Sequence, residues 1–534
     1  MNRNKNHIKY ILNMKTTFIV LYILLSTGFI WGQKHNKIYY NKLEKANREI
    51  LYDNFSTALP LFSELYAMDS TNIDVAYKLG ICIFKVRRES QESFNYFDKA
   101  KNQYPAAYFY LGRLYHAQQK FNKALECYQE CRNSKENKDV SEDDILFYMQ
   151  KSLNAKEMQL TKSNATISNM NNGINTPFAE YCPLLSPDEN TIYFTSRRKG
   201  STGNKLDANY EYFEDIYFAH KSNGNWSDVK NIGSPLNTEL HDATVAISKD
   251  GQQMYIFRTS PDLVSGLILV SKLEDGNWTE PKPIDFPIFE NNSVVTSLTI
   301  SQDMNTIYFA SNREGGYGGK DIYRITRMPD STWSKPMNLG PTINTPYDEE
   351  SPFIHPDGVT LYFSSQGHKN MGGFDIFYSI KDENGNWSAP ENLGLPINSV
   401  LDDLYFIATF DGKTFYLSSN RDEGNGSMDI YKGEIIDPQT NRLVLKGTIM
   451  TQEPEISPIK ATITVIDFDT KELQGIYRTS QNGKYIMVLL PRKKYKMIVE
   501  AENYYPLSTE IDLKERLQFE DLFKTIILKP ISKE

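Results

Sequence analysis

The sequence is poor in cysteine, with only four among its 534 residues: Cys82, Cys127, Cys131 and Cys182. So few cysteines exclude a scaffold built on disulfides, even for a protein in an oxidising compartment. Cys127 and Cys131 fall four residues apart in a predicted helix, where the two Cβ vectors suit a disulfide badly. We therefore expect the cysteines to act as small buried hydrophobic residues.

Motifs for enzyme chemistry are also missing. The sequence has no Gly-x-Ser-x-Gly elbow, no His-Glu-x-x-His pair and no phosphate-binding loop. The glycines of residues 315–319 precede Lys320 without the spacing of a Walker motif, which favours a repeated turn. The seven histidines are scattered, and His355 replaces a repeated serine where we expect a surface turn. We predict no catalytic residue, no metal site and no cofactor.

Basic residues are not in excess either. The formal net charge is −8, with 24% charged and 13% aromatic residues. This mild acidity, without a basic cluster among aromatics, argues against a nucleic-acid partner. The length of the chain predicts three or four domains.

Only one stretch approaches the apolarity of a membrane segment, and it lies near the N-terminus. Lys15 precedes the apolar run of residues 18–30, and Gly32 follows it. A short basic start, a brief apolar run and a small residue predict a secretory signal peptide over residues 1–32, with Met14 as the better initiator. An uncleaved anchor is the alternative, because Ile30 is a poor residue three positions before the cleavage point. We expect an exported protein.

What the sequence has in abundance is repetition between Glu180 and Tyr431. An aspartate followed by a short aromatic strand occurs five times, at Asp188, Asp250, Asp303, Asp357 and Asp411. The successive spacings of 62, 53, 54 and 54 residues are typical of a propeller or a solenoid. Further strands and a Trp-Ser…Asn-Leu-Gly element give most copies the content of one four-stranded blade. The sequence therefore predicts a β-propeller over residues 161–436.

The ends of the repeat array predict how this propeller closes. The fifth copy stops at Tyr431 without its last element, which instead precedes the first copy at residues 171–176. A strand near residues 167–174 would complete the last blade and leave no open edge. This arrangement favours five blades. Six blades are the alternative, if residues 433–445 form a further degenerate copy.

Acidic residues eight positions before the repeated aspartate form a candidate ligand site. They are Glu180, Asp242, Glu349 and Asp403, with Val295 in the third copy. Equivalent positions in successive blades lie at equivalent radii, so the carboxylates predict an acidic ring at one face of the channel. Such a ring could hold a cation or a basic peptide. The alternative is that they are polar groups of turns and strand entries.

Residues 37–160 have a helical hydrophobic period. Leu79-Gly80 and Leu111-Gly112, each followed by an alanine about one helix later, match the tetratricopeptide pattern, in which small residues lie where paired helices touch. A half copy at residues 55–62 and a capping helix at residues 144–156 complete the predicted stack.

Counting tetratricopeptide positions predicts a groove for a partner. In that family, positions five, nine and twelve of the first helix line the concave face. They count here to Phe109, Arg113 and His116, with Tyr77 and Lys85 in the preceding repeat. Aromatic surface beside positive charge suits a peptide that carries a carboxylate. Packing of these side chains against the neighbouring propeller is the alternative.

The third region, residues 437–534, alternates apolar and polar residues over many short segments. Residues 458–465 show the alternation, and Asn482-Gly483 is a turn sequence. This pattern predicts a small antiparallel, immunoglobulin-like β-sandwich.

Three resemblances follow from these motifs. The repeat phrases resemble TolB-type propeller repeats, and the C-terminal region resembles the carboxypeptidase regulatory-like domain, which has no catalytic residues of its own. The order of signal, tetratricopeptide, propeller and sandwich is similar to OmpA-family envelope proteins of Bacteroidetes type, including the periplasmic protein associated with type IX secretion. That family continues into an OmpA-like domain, which this sequence lacks, so we expect no direct binding to peptidoglycan.

The resemblance implies a multidomain α+β protein of the periplasm or outer membrane, with other envelope proteins as partners. The missing motifs favour a non-enzymatic scaffold. A peptide- or glycan-binding propeller is the alternative, followed by a hydrolase or lyase with a site in the channel. The sequence leaves the partner and the oligomeric state open.

Overall fold

The computed structural model describes residues 37–531, except 88–89, 136, 138, 161–162, 172, 208–210, 223, 249, 264, 290–292, 383, 422, 436–442, 453–455, 480–481 and 516–519. The predicted signal peptide lies outside the described residues. The chain divides into two compact units, Met1–Ser152 and Leu153–Glu534. A helical region followed by a large β-rich region confirms the predicted multidomain α+β class.

The first unit is helical. Its described helices are α1 (residues 37–51), α2 (Phe55–Met68), α3 (Ile73–Val86), α4 (Phe94–Ala100), α5 (Ala106–Ala117), α6 (Phe121–Asn133) and α7 (Glu142–Met158), the last of which runs past the unit boundary. From α2 to α6, each helix packs on the next along the chain. No helix in the described part of the chain has the length and apolarity needed to cross a bilayer.

Gly80 and Gly112 lie where paired helices touch. A Cβ atom added at Gly80 would come 3.1 Å from the Phe97 ring, and one added at Gly112 would come 2.4 Å from the ring of Tyr128. Both rings are fully buried. The missing side chains therefore let α3 approach α4 and α5 approach α6, as the tetratricopeptide pattern predicted.

The second unit begins with five antiparallel sheets, which we call the sheet ring. Its strands are β1 (Ala165–Asn169); β2 (Glu180–Leu185), β3 (Thr191–Ser196), β4 (Asp215–Ser222), β5 (Asn225–Trp226) and β6 (Lys230–Asn231); β7 (Asp242–Ile247), β8 (Gln253–Thr259), β9 (Gly266–Glu274), β10 (Asn277–Trp278) and β11 (Lys282–Pro283); β12 (Val295–Ile300), β13 (Thr306–Ser311), β14 (Asp321–Thr326) and β15 (Met337–Asn338); β16 (Glu349–Ile354), β17 (Thr360–Ser365), β18 (Asp375–Ile380) and β19 (Glu391–Asn392); β20 (Asp403–Ala408), β21 (Thr414–Ser419) and β22 (Asp429–Ile435). Each group is one sheet, and β1 joins the last.

The inner strands of the five sheets contact one another in a cycle. β2 contacts β7, β7 contacts β12, β12 contacts β16, β16 contacts β20, and β20 contacts β2. β1 pairs with β22 in antiparallel register, so that Ile167 lies opposite Gly433. This pairing confirms that a strand preceding the first repeat completes the last sheet, and it covers an edge that would otherwise be open.

Two further sheets form the C-terminal sandwich. Its strands are β23 (Leu443–Thr451), β24 (Ser457–Pro458), β25 (Thr462–Asp467), β26 (Leu473–Arg478), β27 (Lys484–Leu489), β28 (Lys494–Glu500), β29 (Leu507–Asp512), β30 (Glu520–Phe523) and β31 (Ile526–Leu528). β23 pairs with β24 and β27 antiparallel and with β30 and β31 parallel, while β25, β26, β28 and β29 form the second sheet. Alternate apolar side chains from both sheets share one buried core. Since β23 begins at Leu443, residues 443–445 belong to this sandwich.

Candidate functional site

The structure buries most of the residues predicted to line the tetratricopeptide groove. Tyr77, Phe109 and His116 are only 5%, 6% and 8% exposed. Tyr77 stacks on Tyr104 with ring centroids 4.4 Å apart, inside the helical core. A partner could not reach these three side chains without moving helices of the same unit. Of the five predicted residues, Lys85 is the exposed one.

The face of α5 that carries Phe109 and Arg113 is covered by α7. Ile145 and Tyr148 of α7 pack in the same cluster as Phe109. The Arg113 guanidinium lies 4.2 Å from the centroid of the Tyr148 ring, and His116 Nδ1 lies 2.8 Å from Ser152 Oγ. The capping helix therefore fills the predicted groove at this repeat, which corrects the expectation of an open concave surface there.

The acidic set does not face the channel. Glu180, Asp242, Glu349 and Asp403 are all 0% exposed. Each carboxylate accepts a backbone N–H from the residue four positions earlier, which is a threonine or a serine; the donors are Thr176, Thr238, Thr345 and Ser399. These carboxylates are the turn and strand-entry groups of their own sheets. This arrangement corrects the acidic-ring interpretation.

Arginines compensate three of these four buried charges. Arg198 pairs with Glu180 at 3.3 Å, Arg258 with Asp242 at 2.5 Å, and Arg421 with Asp403 at 2.5 Å. In the fourth sheet, His368 makes one contact that the arginines make in the other sheets: its Nε2 lies 2.8 Å from a turn carbonyl oxygen, that of Ile343. Burial raises the pKa of Glu349 to about 7, although hydrogen bonds from Thr345 and Ser365 lower it.

A second recurrent frame was missed in the sequence. Four buried asparagines each make two hydrogen bonds to the backbone of one isoleucine: the side-chain oxygen accepts from its N–H, and the side-chain nitrogen donates to its C=O. The asparagines are Asn175, Asn237, Asn344 and Asn398. The isoleucines are the second residues of the Asp-Ile strands, and the asparagines are those of the Ile-Asn and Leu-Asn pairs. Satisfying both groups of a buried peptide fixes the turn to the strand. The repeated asparagine was the available signal.

His355 is also not in a surface turn. It is 0% exposed, and its Nδ1 accepts the backbone N–H of Asp357 while Nε2 lies 3.2 Å from the Thr409 carbonyl oxygen. The histidine thus makes the turn contact of the serine it replaces and also bridges to the next sheet. The expectation of a surface position was wrong, because the repeated turn itself is buried here.

A polar cluster that the sequence did not predict lies where β2, β16 and β20 begin. Tyr181 and Tyr405 stack there with centroids 6.0 Å apart. The Tyr181 hydroxyl donates to Glu214 Oε1, and His241 Nδ1 lies 3.0 Å from Glu214 Oε2. Burial alone would raise the pKa of Glu214, but the His241 and Tyr181 contacts hold it below its ordinary value. We call Tyr181, Tyr405, Glu214 and Glu350 the ring mouth.

Glu350 forms the other half of the ring mouth. Its carboxylate accepts hydrogen bonds from Thr296 Oγ1 at 2.8 Å and from Ser297 Oγ at 3.0 Å. Lys320 Nζ lies 2.5 Å from Glu350 Oε1. Burial raises the pKa of Tyr405, and Cys182, Glu350 and Glu214 raise it further, so both carboxylates lie within electrostatic reach of this phenol.

Next to Tyr405 of the ring mouth, the inner strands line a partly open cavity of about 90 Å³, which we call the ring cavity. Its walls are mostly apolar and include Leu184, Val245, Leu298 and Phe406. Each inner strand has a register shift near its start, and three lining residues of these bulges have left-handed backbone: Cys182 (φ 51°), Ser351 (φ 52°) and Tyr405 (φ 54°). Non-glycine residues in this region are strained, and such strain clusters at functional sites.

Ser351 is a buried residue of this cavity wall. The residue is 6% exposed, and its Oγ has no hydrogen-bond partner among the described residues. Its backbone N–H donates to Ser297 Oγ at 3.0 Å, next to Glu350. The Oγ atoms of Ser201, Ser311 and Ser364 are likewise buried without a partner among the described residues, and each has less than 1 Å² of accessible surface.

The C-terminal sandwich covers the opposite end of the ring. Phe410, in the turn between β20 and β21, packs in the sandwich core, and its N–H donates to Glu189 Oε1 at 2.7 Å. Gln302 Nε2 donates to the Ile476 carbonyl at 3.1 Å, and Arg478 Nε lies 3.3 Å from Asp250 Oδ2. The end with the ring mouth is thus the end that the sandwich does not occupy.

No group of three or more potential metal ligands converges among the residues that the structure describes. Comparisons with known proteins add little. No protein-family model matches the chain, and no curated protein is significantly similar to it.

Solved structures match parts of the chain with low scores. A solved complex of BT0996 with RGII matches over 53% of this chain and 96% of its own length, with a TM-score of 0.35 and 11% identity. The 3-chlorocatechol 1,2-dioxygenase of Rhodococcus opacus 1CP covers 18% of this chain at a TM-score of 0.14 and 14% identity. The catechol 1,2-dioxygenase of Acinetobacter sp. ADP1 covers 18% of this chain, with a TM-score of 0.14 and 13% identity. The chain spans 62% and 54% of these two enzymes, and at such scores none of the matches supports an argument about function.

Proposed function

We propose that this chain is a non-enzymatic interaction scaffold of the cell envelope. In this proposal it consists of a tetratricopeptide stack, a five-bladed β-propeller and a carboxypeptidase regulatory-like sandwich. The cyclic contacts of the five sheets and the pairing of β1 with β22 support five blades. The order of modules supports an OmpA-family envelope protein of Bacteroidetes type, related to the type IX secretion-associated protein. The N-terminal apolar run supports export to the periplasm or outer membrane.

One observation carries the proposal. The acidic residues and asparagines that recur from sheet to sheet are consumed by hydrogen bonds inside their own sheets. These recurrent polar residues therefore stabilise the sheets and are not available for catalysis. Repeat architectures of this kind often present extended binding surfaces for other proteins.

A second candidate function is ligand binding by the ring itself. It is favoured by the ring cavity, whose mostly apolar walls include Leu184, Val245 and Phe406. This function is compatible with a scaffold, because a bound partner segment could be the ligand.

The test is affinity recovery of the tagged full chain from chemically crosslinked envelope of its host. We expect a reproducible set of other envelope proteins, and excess untagged chain should compete for them. Recovery of nothing above a tag-only control would contradict the proposal.

A charge reversal locates the partner surface within the same experiment. Lys85→Glu changes the one exposed residue of the predicted groove, and Lys120→Glu changes another exposed lysine of the helical unit as a control. Loss of a partner with Lys85→Glu alone assigns that partner to the helical unit. Equal recovery with both variants assigns it to the second unit.

A further inference from the structure

We infer that the ring cavity and the cleft beside it, between the sheet ring and the sandwich, form one site for an extended polypeptide segment of a partner. A side chain of the size of leucine enters the ring cavity, and the residues on either side of it lie in the cleft. The inference deepens the proposed interaction function by naming the chemistry of a partner. It rests on that function only for the source of the segment.

The cleft and the ring cavity are neighbours at the sandwich end of the ring. The cleft has a volume of about 1130 Å³, which is large enough for a chain of several residues. Ser186, Pro187, Ile247 and Phe410 line both the cleft and the cavity. The first three of these residues are partly exposed. A segment that lies in the cleft can therefore reach the cavity with one side chain.

The ring cavity favours an uncharged, apolar group. Among the described residues of its wall, Glu189 is the only one with a charged side chain, and its Oε1 accepts the N–H of Phe410 at 2.7 Å. The hydroxyls of Ser186 and Ser248 each donate to the aspartate two positions later in the chain. These polar groups are thus engaged within the protein, and the mostly apolar walls favour an apolar occupant.

The size of the cavity fits a side chain of four carbons. An apolar cavity of about 150 Å³ holds benzene, which has six carbons. In proportion, the ring cavity of about 90 Å³ holds about four carbons, the number in the side chains of leucine and isoleucine. A phenylalanine side chain is too large for this volume, and an alanine methyl group leaves most of it empty.

The two walls of the cleft carry opposite charge. Among the described residues, the ring wall has three carboxylates and no lysine or arginine, a net charge of −3; the carboxylates are Asp188, Asp250 and Asp275. The sandwich wall has four cations and two carboxylates, a net charge of +2; they are Lys446, Lys460, Arg478, Lys484, Glu500 and Glu502. Arg478 Nε lies 3.3 Å from Asp250 Oδ2, so the walls already form one ion pair. An occupant that contacts both walls should carry cations on its ring side and carboxylates on its sandwich side.

An extended polypeptide provides that arrangement, because successive side chains of a strand point to opposite sides. A leucine that points into the ring cavity places the residues two positions away on the ring side and its immediate neighbours on the sandwich side. The charges of the walls then favour lysine or arginine at the former positions and aspartate or glutamate at the latter. A lipid chain or a small hydrocarbon would fill the cavity without contacting both walls in this way.

The experiment titrates acetylated and amidated pentapeptides into the full chain by isothermal titration calorimetry, at low ionic strength because salt screens exposed charges. Lys-Glu-Leu-Glu-Lys should bind about tenfold more tightly than Lys-Glu-Ala-Glu-Lys, which lacks the apolar side chain. It should bind about threefold more tightly than Glu-Lys-Leu-Lys-Glu, which has the same composition and the opposite order of charge.

Three results would overturn the inference. They are absence of binding, equal binding of the leucine and alanine peptides, and equal binding of the two charge orders. In the last case the cavity would take any small apolar group, a lipid chain included, and the cleft would not select a peptide. Each of these results would leave the envelope-recovery result untouched, since a partner can also bind elsewhere on the chain, so the two proposals fail separately.

A charge reversal in the cleft tests the sandwich wall. Lys460 is exposed, so Lys460→Glu changes the charge of the wall without changing a packed side chain. The variant should bind Lys-Glu-Leu-Glu-Lys about threefold more weakly and Glu-Lys-Leu-Lys-Glu more tightly than the wild type does. Lys529→Glu is the matched control, because Lys529 is an exposed lysine of the sandwich that does not line the cleft. Equal effects of the two variants would show that the cleft is not the site.

A cavity-filling variant tests the ring cavity. Ala246 lines the cavity and is 5% exposed, and Ala246→Leu adds three carbons to its wall. The variant should bind the leucine and alanine peptides equally, with its fold checked by the melting temperature. A folded variant that still prefers the leucine peptide would overturn the inference. If the added carbons prevent folding, the comparison of Lys460→Glu with Lys529→Glu decides the question by itself.

Discussion

Glu349 has the same turn-capping contacts as Glu180, Asp242 and Asp403, but no arginine in the described part of the chain pairs with it. The arginine position of its sheet is occupied by Gly367, where an added Cβ would come 2.0 Å from Thr345 Oγ1. The turn is therefore packed too closely for a larger residue, and the carboxylate is buried without a cation. This explains why its pKa is raised to about 7.

The free energy of unfolding should therefore fall as pH rises because of Glu349. Its pKa is about 7 in the folded chain and 4.5 ordinarily, so the folded state holds more protons between these values and stability is lost as pH rises through that window. Relative to Glu349→Gln, the wild type should lose about 2–3 kcal/mol between pH 5 and pH 8. Urea denaturation of both proteins at four pH values measures this difference.

The control for that comparison is Glu434→Gln, which changes an exposed carboxylate. Its unfolding free energy should follow that of the wild type across the same pH range. If the wild type and Glu349→Gln gave parallel curves, Glu349 would not be the buried acid that the structure describes.

At the scale of secondary-structure elements, β1 is the strand whose position in the chain differs most from its position in the fold. It precedes the first sheet in sequence but pairs with β22 of the last. Asn169 Nδ2 at its end donates to Asp429 Oδ2 at 2.8 Å, the same bond that Asn231 and Asn338 make within their own sheets. β1 thus supplies the fourth strand of the fifth sheet in both its backbone and its side-chain contacts.

Replacing residues 165–169 by a Gly-Ser segment of equal length should open the ring. The loss of a five-residue ladder and the Asn169 bond should cost about 3–5 kcal/mol, which lowers the melting temperature by roughly 10 °C. Differential scanning calorimetry measures the shift. The same replacement at residues 328–332, an exposed turn, should change it by only about 2 °C. Equal effects at the two places would show that β1 does not close the ring.

At the scale of the second unit, Phe410 joins the sheet ring to the C-terminal sandwich. It is 8% exposed and lies in the sandwich core, although it belongs to a turn of the ring. Together with the Gln302 and Arg478 contacts, it makes the unfolding of one part depend on the other. We expect the wild type to unfold these two parts in one calorimetric transition.

Phe410→Ala should separate that transition into two. Removing a buried phenylalanine costs about 3–5 kcal/mol, here mostly from the contact between the parts. Phe286→Ala is the control, because Phe286 packs within the ring against Tyr255 and Trp333. The control should lower the stability of the ring without splitting the transition. A single transition in Phe410→Ala would mean that the sandwich and the ring are not coupled through this side chain.

Much of the fold could be predicted from the sequence, because repetition reports packing that recurs. Gly80 and Gly112 mark helix contacts, and the missing element after Tyr431 predicted the strand that β1 supplies. The ring mouth could not be found in this way, since Tyr181 and Glu350 are different residues at one repeat position and Glu214 comes from the connection before β4.

One signal for the mouth was nevertheless present. The first repeat spacing is 62 residues where the others are 53 or 54. The extra residues lie between β3 and β4, a connection of residues 197–214, while the equivalent connections of the last three sheets span only 312–320, 366–374 and 420–428. Asp207, Glu211 and Glu214 all come from this longer connection. An irregular spacing in a regular array therefore pointed to the non-repeated chemistry.

The sequence by itself determined which residues pair locally, because strand alternation, helical period and turn residues act over a few positions of the chain. It predicted the α+β class, the repeat units and the strand that completes the last sheet. Only the tertiary structure decided which polar residues were available for binding. Phe109 was a candidate in the sequence and is buried by Tyr148 of α7, which lies 39 residues further along the chain, whereas Tyr405 was not a candidate and lines the ring cavity. Exposure depends on what packs above a side chain, and that is set by contacts between elements far apart in sequence.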